Sequence, residues 1–173
     1  MIKAITDKLK IRLLYDSSSH TYTELYREEQ FKKYSAIPRN YMPEEGSVVL
    51  DAGCGTGLLY EYFLINGYND LYYVGIDISL GQLKNAKSRL KSTESMDLVY
   101  GDVDIPPFRD RCFSHIFSIT HLQHSSNYKA TVDTLKNLAR GLIILSFMKK
   151  VFKSPPVTGE FYNGGVDWIV VMK

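Results

Sequence analysis

Cysteine is scarce in this chain, with only Cys54 and Cys112 among 173 residues. Two thiols make no disulfide framework, which argues against a small stapled scaffold and fits a reducing, cytoplasmic setting. Long apolar runs are missing too. The longest, Gly141 to Met148, falls well short of the ~18 residues that a membrane-spanning helix needs, and no membrane partner is expected. Near the start, Lys3, Asp7, Lys8, Lys10 and Arg12 interrupt the apolar residues, so no signal-peptide core is expected there. Neither sign of charge is in excess. Lys and Arg number 21 against 19 Asp and Glu, a net charge of +2 that does not advertise a nucleic-acid partner but leaves a local basic face open. Internal repeats and low-complexity tracts are absent. A hydrophobic content of 45% excludes intrinsic disorder, and the length allows one domain with a substantial core. Tyrosine is plentiful, with 13 beside eight phenylalanines and one tryptophan.

The first 45 residues read as helical. Ile2, Ile5, Leu9 and Leu13 recur at helical spacing, and a second helix is expected from an N-cap at Thr21 to about Ile37, ended by Pro38. After Pro43 and Gly46 the pattern changes. Strands are expected at 47–50, 71–76, 97–100, 114–119 and 142–147, with a last one at 166–172 and a hairpin partner at 157–162. Between them lie a helix from Leu58 to Ile65 and one entered through Ser79-x-x-Gln82, with Leu80, Leu83, Ala86 and Leu90 on one face. A third, capped by Asn127, carries Val132, Leu135 and Leu138 and is closed by Gly141. Alternating strands and helices imply an α/β fold with a largely parallel sheet, whose ligands bind at the C-terminal strand ends where the strand order reverses.

Three strand ends carry chemistry. Asp51-x-Gly53-x-Gly55-x-Gly57 lets the chain turn tightly and lets a ligand approach the backbone. Asp77 ends the second strand, where a carboxylate can accept ribose hydroxyls. Asp102 ends the third and can accept from an adenine amino group. A dinucleotide fingerprint, G-x-G-x-x-G, would need glycine at position 58, which is Leu58, and no P-loop lysine follows.

These residues resemble the class I S-adenosylmethionine-dependent methyltransferase family. The resemblance rests on Val48 to Gly57, Val74 to Ser79, the Gly101-Asp102-x-Asp104-Ile105-Pro106-Pro107-Phe108 run and Ser118 to His124. It extends to the segment from Tyr15 to Tyr34, which is similar to a lid in small archaeal and bacterial members. It implies a Rossmann-like, doubly wound, mostly parallel seven-stranded sheet with a C-terminal β-hairpin. Residues 1–45 would form a lid and residues 46–173 the methyltransferase core. It also implies S-adenosylmethionine as cofactor, S-adenosylhomocysteine as product, and methyl transfer by in-line displacement. Carried over by position, Asp51, Ala52 and the loop of Gly53, Cys54, Gly55 and Gly57 hold the methionine part. Asp77 and Ile78 hold the ribose. Gly101, Asp102 and Val103 frame the adenine, and Thr120 lies beside the sulfonium. Gln123 and His124 face the acceptor as the candidate catalytic pair, and Tyr22 walls the sulfonium from solvent.

Other features are assigned more modest roles. His121 and His124 lack a third ligand at metal spacing, so no metal is expected. Ile105-Pro106-Pro107-Phe108 precedes the fourth strand and reads as a rigid loop with Phe108 packed inward. Lys84, Lys87, Arg89 and Lys91 read as a solvated helix face. Lys149, Lys150 and Lys153 lie nearer the acceptor side and suit an acidic substrate. The short stretch after the fifth strand leaves no room for a cap domain. The acceptor stays open between a small molecule and RNA or protein, with a partner subunit or homodimer as further alternatives. A non-catalytic cofactor-binding subunit is the reading from another functional class.

Overall fold

A computed structural model describes residues 8–10, 12–13, 26–90, 94–125 and 127–173. The expected N-cap at Thr21, the N-terminal apolar stripe at Ile2 and Ile5, and Tyr15 and Tyr22 lie outside the described residues. Among the described residues, no helix is long and apolar enough to cross a membrane.

Seven strands form one sheet: β1 (Ser47–Ala52), β2 (Leu71–Asp77), β3 (Met96–Tyr100), β4 (Phe113–Ser118), β5 (Ala139–Met148), β6 (Glu160–Gly164) and β7 (Asp167–Met172), in the order β3-β2-β1-β4-β5-β7-β6. The first five strands pair in parallel. β7 runs antiparallel between β5 and β6, giving the C-terminal hairpin. Helix α1 spans 26–35, and α2 (Leu58–Ile65), α3 (Leu80–Leu90) and α4 (Tyr128–Leu138) follow.

The two-residue period of each strand divides the core. Val49, Tyr73, Phe117 and Ile144 face one side, where they meet Tyr34 of α1 and Leu59 and Phe63 of α2. Leu50, Val74, Ile116 and Ile143 face the other, against Val132, Leu135 and Leu138 of α4. Strands buried on both faces read as near-continuous apolar runs, which is why their positions were visible in sequence. Much of the tyrosine excess sits in the first layer, where Tyr34, Phe31 and Tyr62 pack ring against ring at 5.4–6.1 Å.

Several expectations need correction. Helix α1 ends at residue 35, two residues before Ile37, and a short 3-10 turn at Arg39–Tyr41 follows Pro38. Leu80 is exposed, and Gln82 takes the buried place on α3, where its backbone N–H is capped by Ser79 Oγ at 3.1 Å. Arg89 is not a free solvated charge. It pairs with Glu61 and donates to the Thr56 carbonyl, and Arg27 joins the same Glu61 at 2.9 Å, so α1, α2 and α3 share one carboxylate. Gly141 does not close α4. The helix passes directly into β5, and Gly141 lies at the irregularity between the Phe113–Ala139 and His115–Leu142 pairs. A Cβ there would stand 2.4 Å from the Ser114 carbonyl oxygen, so the glycine answers a close approach between strands. The hairpin strand opens at Glu160 rather than Val157.

Gly141→Ala should therefore lower stability by about 2–4 kcal/mol, because backbone rather than a pliable side chain must yield. Urea unfolding followed by circular dichroism measures this.

Candidate functional site

The chain winds outward in both directions from β1 and β4, so the loops leaving β1, β2, β3 and β4 meet over one crevice. In the first loop Gly53, Gly55 and Gly57 hold left-handed φ values of 84°, 52° and 73°. A Cβ at Gly53 would come within 2.6 Å of the His121 ring, whereas at Gly55 the nearest atom is Gln82 Oε1 at 3.9 Å, leaving that stretch open to the crevice. Asp77 organises the next loop. Its Oδ2 accepts from Gly55 N–H at 2.9 Å and its Oδ1 from Ser79 N–H at 2.8 Å. In the third loop Asp102 Oδ1 accepts from Asp104 N–H at 3.0 Å, and Asp104 Oδ1 accepts from the Thr131 hydroxyl at 2.5 Å. Beyond β4, Thr120 adopts a left-handed φ of 59°, unusual for a β-branched residue, with its N–H donated to Ser146 Oγ at 2.7 Å.

A cavity occupies the crevice. Of the residues singled out in sequence, Gly53, Gly55, Asp77, Ile78, Val103, Thr120 and His124 line it. The other described ones do not line it. Asp51 accepts from the Tyr73 hydroxyl at 2.6 Å in the core, and burial raises its carboxyl to about 7 despite that hydrogen bond. Ala52 gives its carbonyl to Ser118 Oγ, and Cys54 packs its sulfur on Gly75. Gly57 caps α2 under Leu90, and Gly101 N–H bonds the Asp77 carbonyl. Asp102 Oδ2 is held by Lys8 Nζ at 2.5 Å, and Gln123 Nε2 turns back to the Thr120 carbonyl at 2.7 Å.

The wall also contains residues to which sequence assigned no site role. Gln82, Asp104, Ile119 and Ser125 line the cavity. So do Lys8, paired with Asp104 at 2.6 Å as well as with Asp102, and His121. Ser79-x-x-Gln82 marks Gln82 only as a capping residue. In sequence His121 stands out only as a possible metal ligand, and the Gly53 contact that seats it cannot be read from spacing. Burial pushes His121 down to about 4 and also lowers His124, which leaves both imidazoles neutral near pH 7.

The fold is that of the class I S-adenosylmethionine-dependent methyltransferase family. A family model described as "Methyltransferase domain" matches residues 49–142, more than half of the chain, and the chain belongs to that family. It is 29% identical over 139 residues to the protein "Probable tRNA methyltransferase 9B" of Homo sapiens, an alignment covering 79% of this chain and 27% of that protein. Among solved structures, a SAM dependent methyltransferase from Aquifex aeolicus shares the fold with a TM-score of 0.69 at 18% identity, covering 90% of this chain and 96% of the other. The Haloferax volcanii complex of the Trm112 methyltransferase activator with a methyltransferase shares it at 0.67 and 20% identity, covering 76% and 59%. The chain spans from about a quarter to about half the length of the curated relatives it matches.

The residues present fit S-adenosylmethionine. A pre-ordered carboxylate, Asp77, stands beside a loop open at Gly55, and Ile78, Val103 and Ile119 give the cavity apolar surface for a flat ring.

Asp51 and His121 make opposite contributions to stability as pH changes. Asp51, raised in the fold, favours the folded state below about 4 and loses that contribution as pH climbs through 7. His121, lowered in the fold, contributes fully above 6.5 and loses its contribution as pH falls toward 4. Between pH 4.5 and 6.5 the stability gap between wild type and Asp51→Asn should narrow, and that between wild type and His121→Gln should widen, each by about 1–2 kcal/mol. Urea titrations at the two pH values read both.

Proposed function

We propose that this chain binds S-adenosylmethionine in the crevice and moves its methyl group to a nucleophile by in-line displacement. The observation that carries this reading is the Asp77 carboxylate, fixed by two backbone N–H groups at the end of β2 and facing the cavity beside the glycine loop. Bound there, the cofactor supplies a methyl group that is already electrophilic, so the protein's task is alignment and exclusion of water. Asp77 accepts the ribose hydroxyls, Asp102 and Val103 frame the adenine, and the Gly53–Gly57 loop presents its backbone to the methionine part. Thr120 stands on the transfer side. His124, neutral and on the wall, accepts the proton that an amino or hydroxyl nucleophile releases, with Gln123 holding the turn that carries it. Residues 1–45 act as the lid, and the protein works in the cytoplasm.

A second reading concerns the acceptor. Only residues 149–159 separate β5 from β6, and they form no helix that could roof the site. The similarity to a probable tRNA methyltransferase, and the fold shared with a methyltransferase bound to an activator, support an RNA acceptor and a partner subunit.

Asp77→Ala should weaken S-adenosylmethionine binding at least about tenfold in calorimetry, given ~1.5–3 kcal/mol for hydrogen bonds to a charged group. Unchanged affinity would refute the assignment. Tritiated methyl groups offered with RNA, protein and metabolite pools identify the acceptor class. Cofactor binding with no label in any pool would mark a non-catalytic subunit instead.

A further inference from the structure

The cavity wall holds a lysine to which the reading above gives no role. Lys8 lies 94 positions before Asp102 in the chain. Its Nζ nevertheless meets Asp102 Oδ2 at 2.5 Å and Asp104 Oδ2 at 2.6 Å, and its side chain lines the cavity. The other oxygens of the two carboxylates are engaged as well, Asp102 Oδ1 by the Asp104 N–H and Asp104 Oδ1 by the Thr131 hydroxyl. Residues 8–10 and 12–13 are helical. One turn beyond Lys8, Arg12 Nη1 donates to the Tyr100 hydroxyl at 3.3 Å. Two basic side chains of one helical face thus meet the end of β3 and the loop that follows it.

This docking reverses the usual arrangement. An amphipathic helix ordinarily turns its apolar stripe to the domain. Here Leu9 and Leu13 are 45% and 61% exposed, while the basic Lys8 and Arg12 make the contacts. The Lys8 and Asp102 side chains are themselves partly open to solvent, at 26% and 25%. Ion pairs in such a setting are weak and are screened by salt. Burial lowers the Lys8 ammonium, but its hydrogen bonds to Asp102 and Asp104 outweigh that and raise its pKa, so Lys8 is a full cation there. The helix is therefore held by a strap that is specific in its partners and readily released.

We infer that Lys8 is an internal competitor of the cofactor, holding through its ammonium the carboxylate that the adenine amino group would take. The inference rests on the cofactor reading proposed above, in which Asp102 frames the adenine. A carboxylate oxygen can accept more than one donor, but an ammonium and an adenine amino group offer each other no lone pair, so they exclude one another at Asp102. Seating the adenine requires the Lys8 strap to leave. Apparent cofactor affinity is then scaled down to the fraction of chains in which the strap is released. In this arrangement the lid opens at its first helix before it closes over a ligand, and whatever draws that helix away from β3 favours loading of the site.

S-adenosylhomocysteine is the probe, because its amino and carboxylate charges cancel and loss of a lysine leaves its long-range attraction unchanged. In calorimetry, Lys8→Met should raise its affinity about fivefold, as expected for loss of a weak competing ion pair. Lys10→Met, an equal change in charge at an exposed position of the same helix, should stay within about twofold of wild type. Added salt should narrow the gap between wild type and Lys8→Met, since it screens the strap only where the strap exists. Unchanged affinity in Lys8→Met overturns the inference. So does lowered affinity, which a lysine donating to an adenine ring nitrogen or bracing a closed lid would give. An equal rise in Lys10→Met, or a gap that does not respond to salt, overturns it too. Absence of binding in all three proteins would instead overturn the cofactor reading on which it stands.

Discussion

The reversal of winding between β1 and β4 is the constraint on which the rest of this structure depends. Parallel strands need crossovers, and crossovers that leave in opposite directions from two neighbouring strands cannot cover the ground between them. A crevice opens there as a consequence of topology. Its floor is backbone at the ends of strands, rich in N–H groups that the sheet no longer pairs. Asp77 meets two of them, from Gly55 and Ser79, and so ties the end of β2 to the loop after β1. Without that carboxylate the glycine loop would keep its freedom and lose its shape.

The second organising element is the attachment of α1. Its outward side holds Arg27, which shares Glu61 with Arg89. Its inward side holds Gln30 and Lys33, which reach Thr120. One short helix thus connects α2 and α3 on one flank with the cavity wall on the other. Buried charge of this kind is a weak source of stability. It is a strong source of position, because every partner of Lys33 must be in place for the lysine to be tolerated. That coupling makes α1 part of the site's architecture.

Much of the fold was legible in the residues. β1, β2 and β5 are buried on both faces and stand out as apolar runs. The bounds expected for α2, Leu58 to Ile65, are the observed ones. The exceptions share a cause. Gly141 looks like a helix stop, yet it answers a carbonyl oxygen on a strand distant in sequence. Leu80 fits a helical stripe, yet Gln82 takes the buried place. Arg89 belongs to a basic run, yet finds Glu61 on another helix. In each case a local pattern was read correctly as local, and a long-range contact reassigned the residue.

The site divides the same way. Glycines and carboxylates at strand ends announce themselves, because backbone freedom and charge are properties of residue type and position. Asp77, Gly53 and Gly55 were visible on those grounds, whereas Thr120 came only from the family resemblance. Asp51 carries the same residue type, yet the strand's alternation turns its carboxyl to Tyr73, away from the cavity. His121, Asp104 and Lys8 entered the wall only once distant segments were brought together, and Lys33 and Asp167 lie 134 positions apart yet form one ion pair. The sequence by itself determined the α/β class and the glycine-and-carboxylate frame, because these follow from period, residue type and order along the chain, and the family through the resemblance its motifs carry. The tertiary structure alone decided which side chains face the cavity and which charges sit behind it. Those outcomes depend on contacts between segments that no local pattern encodes.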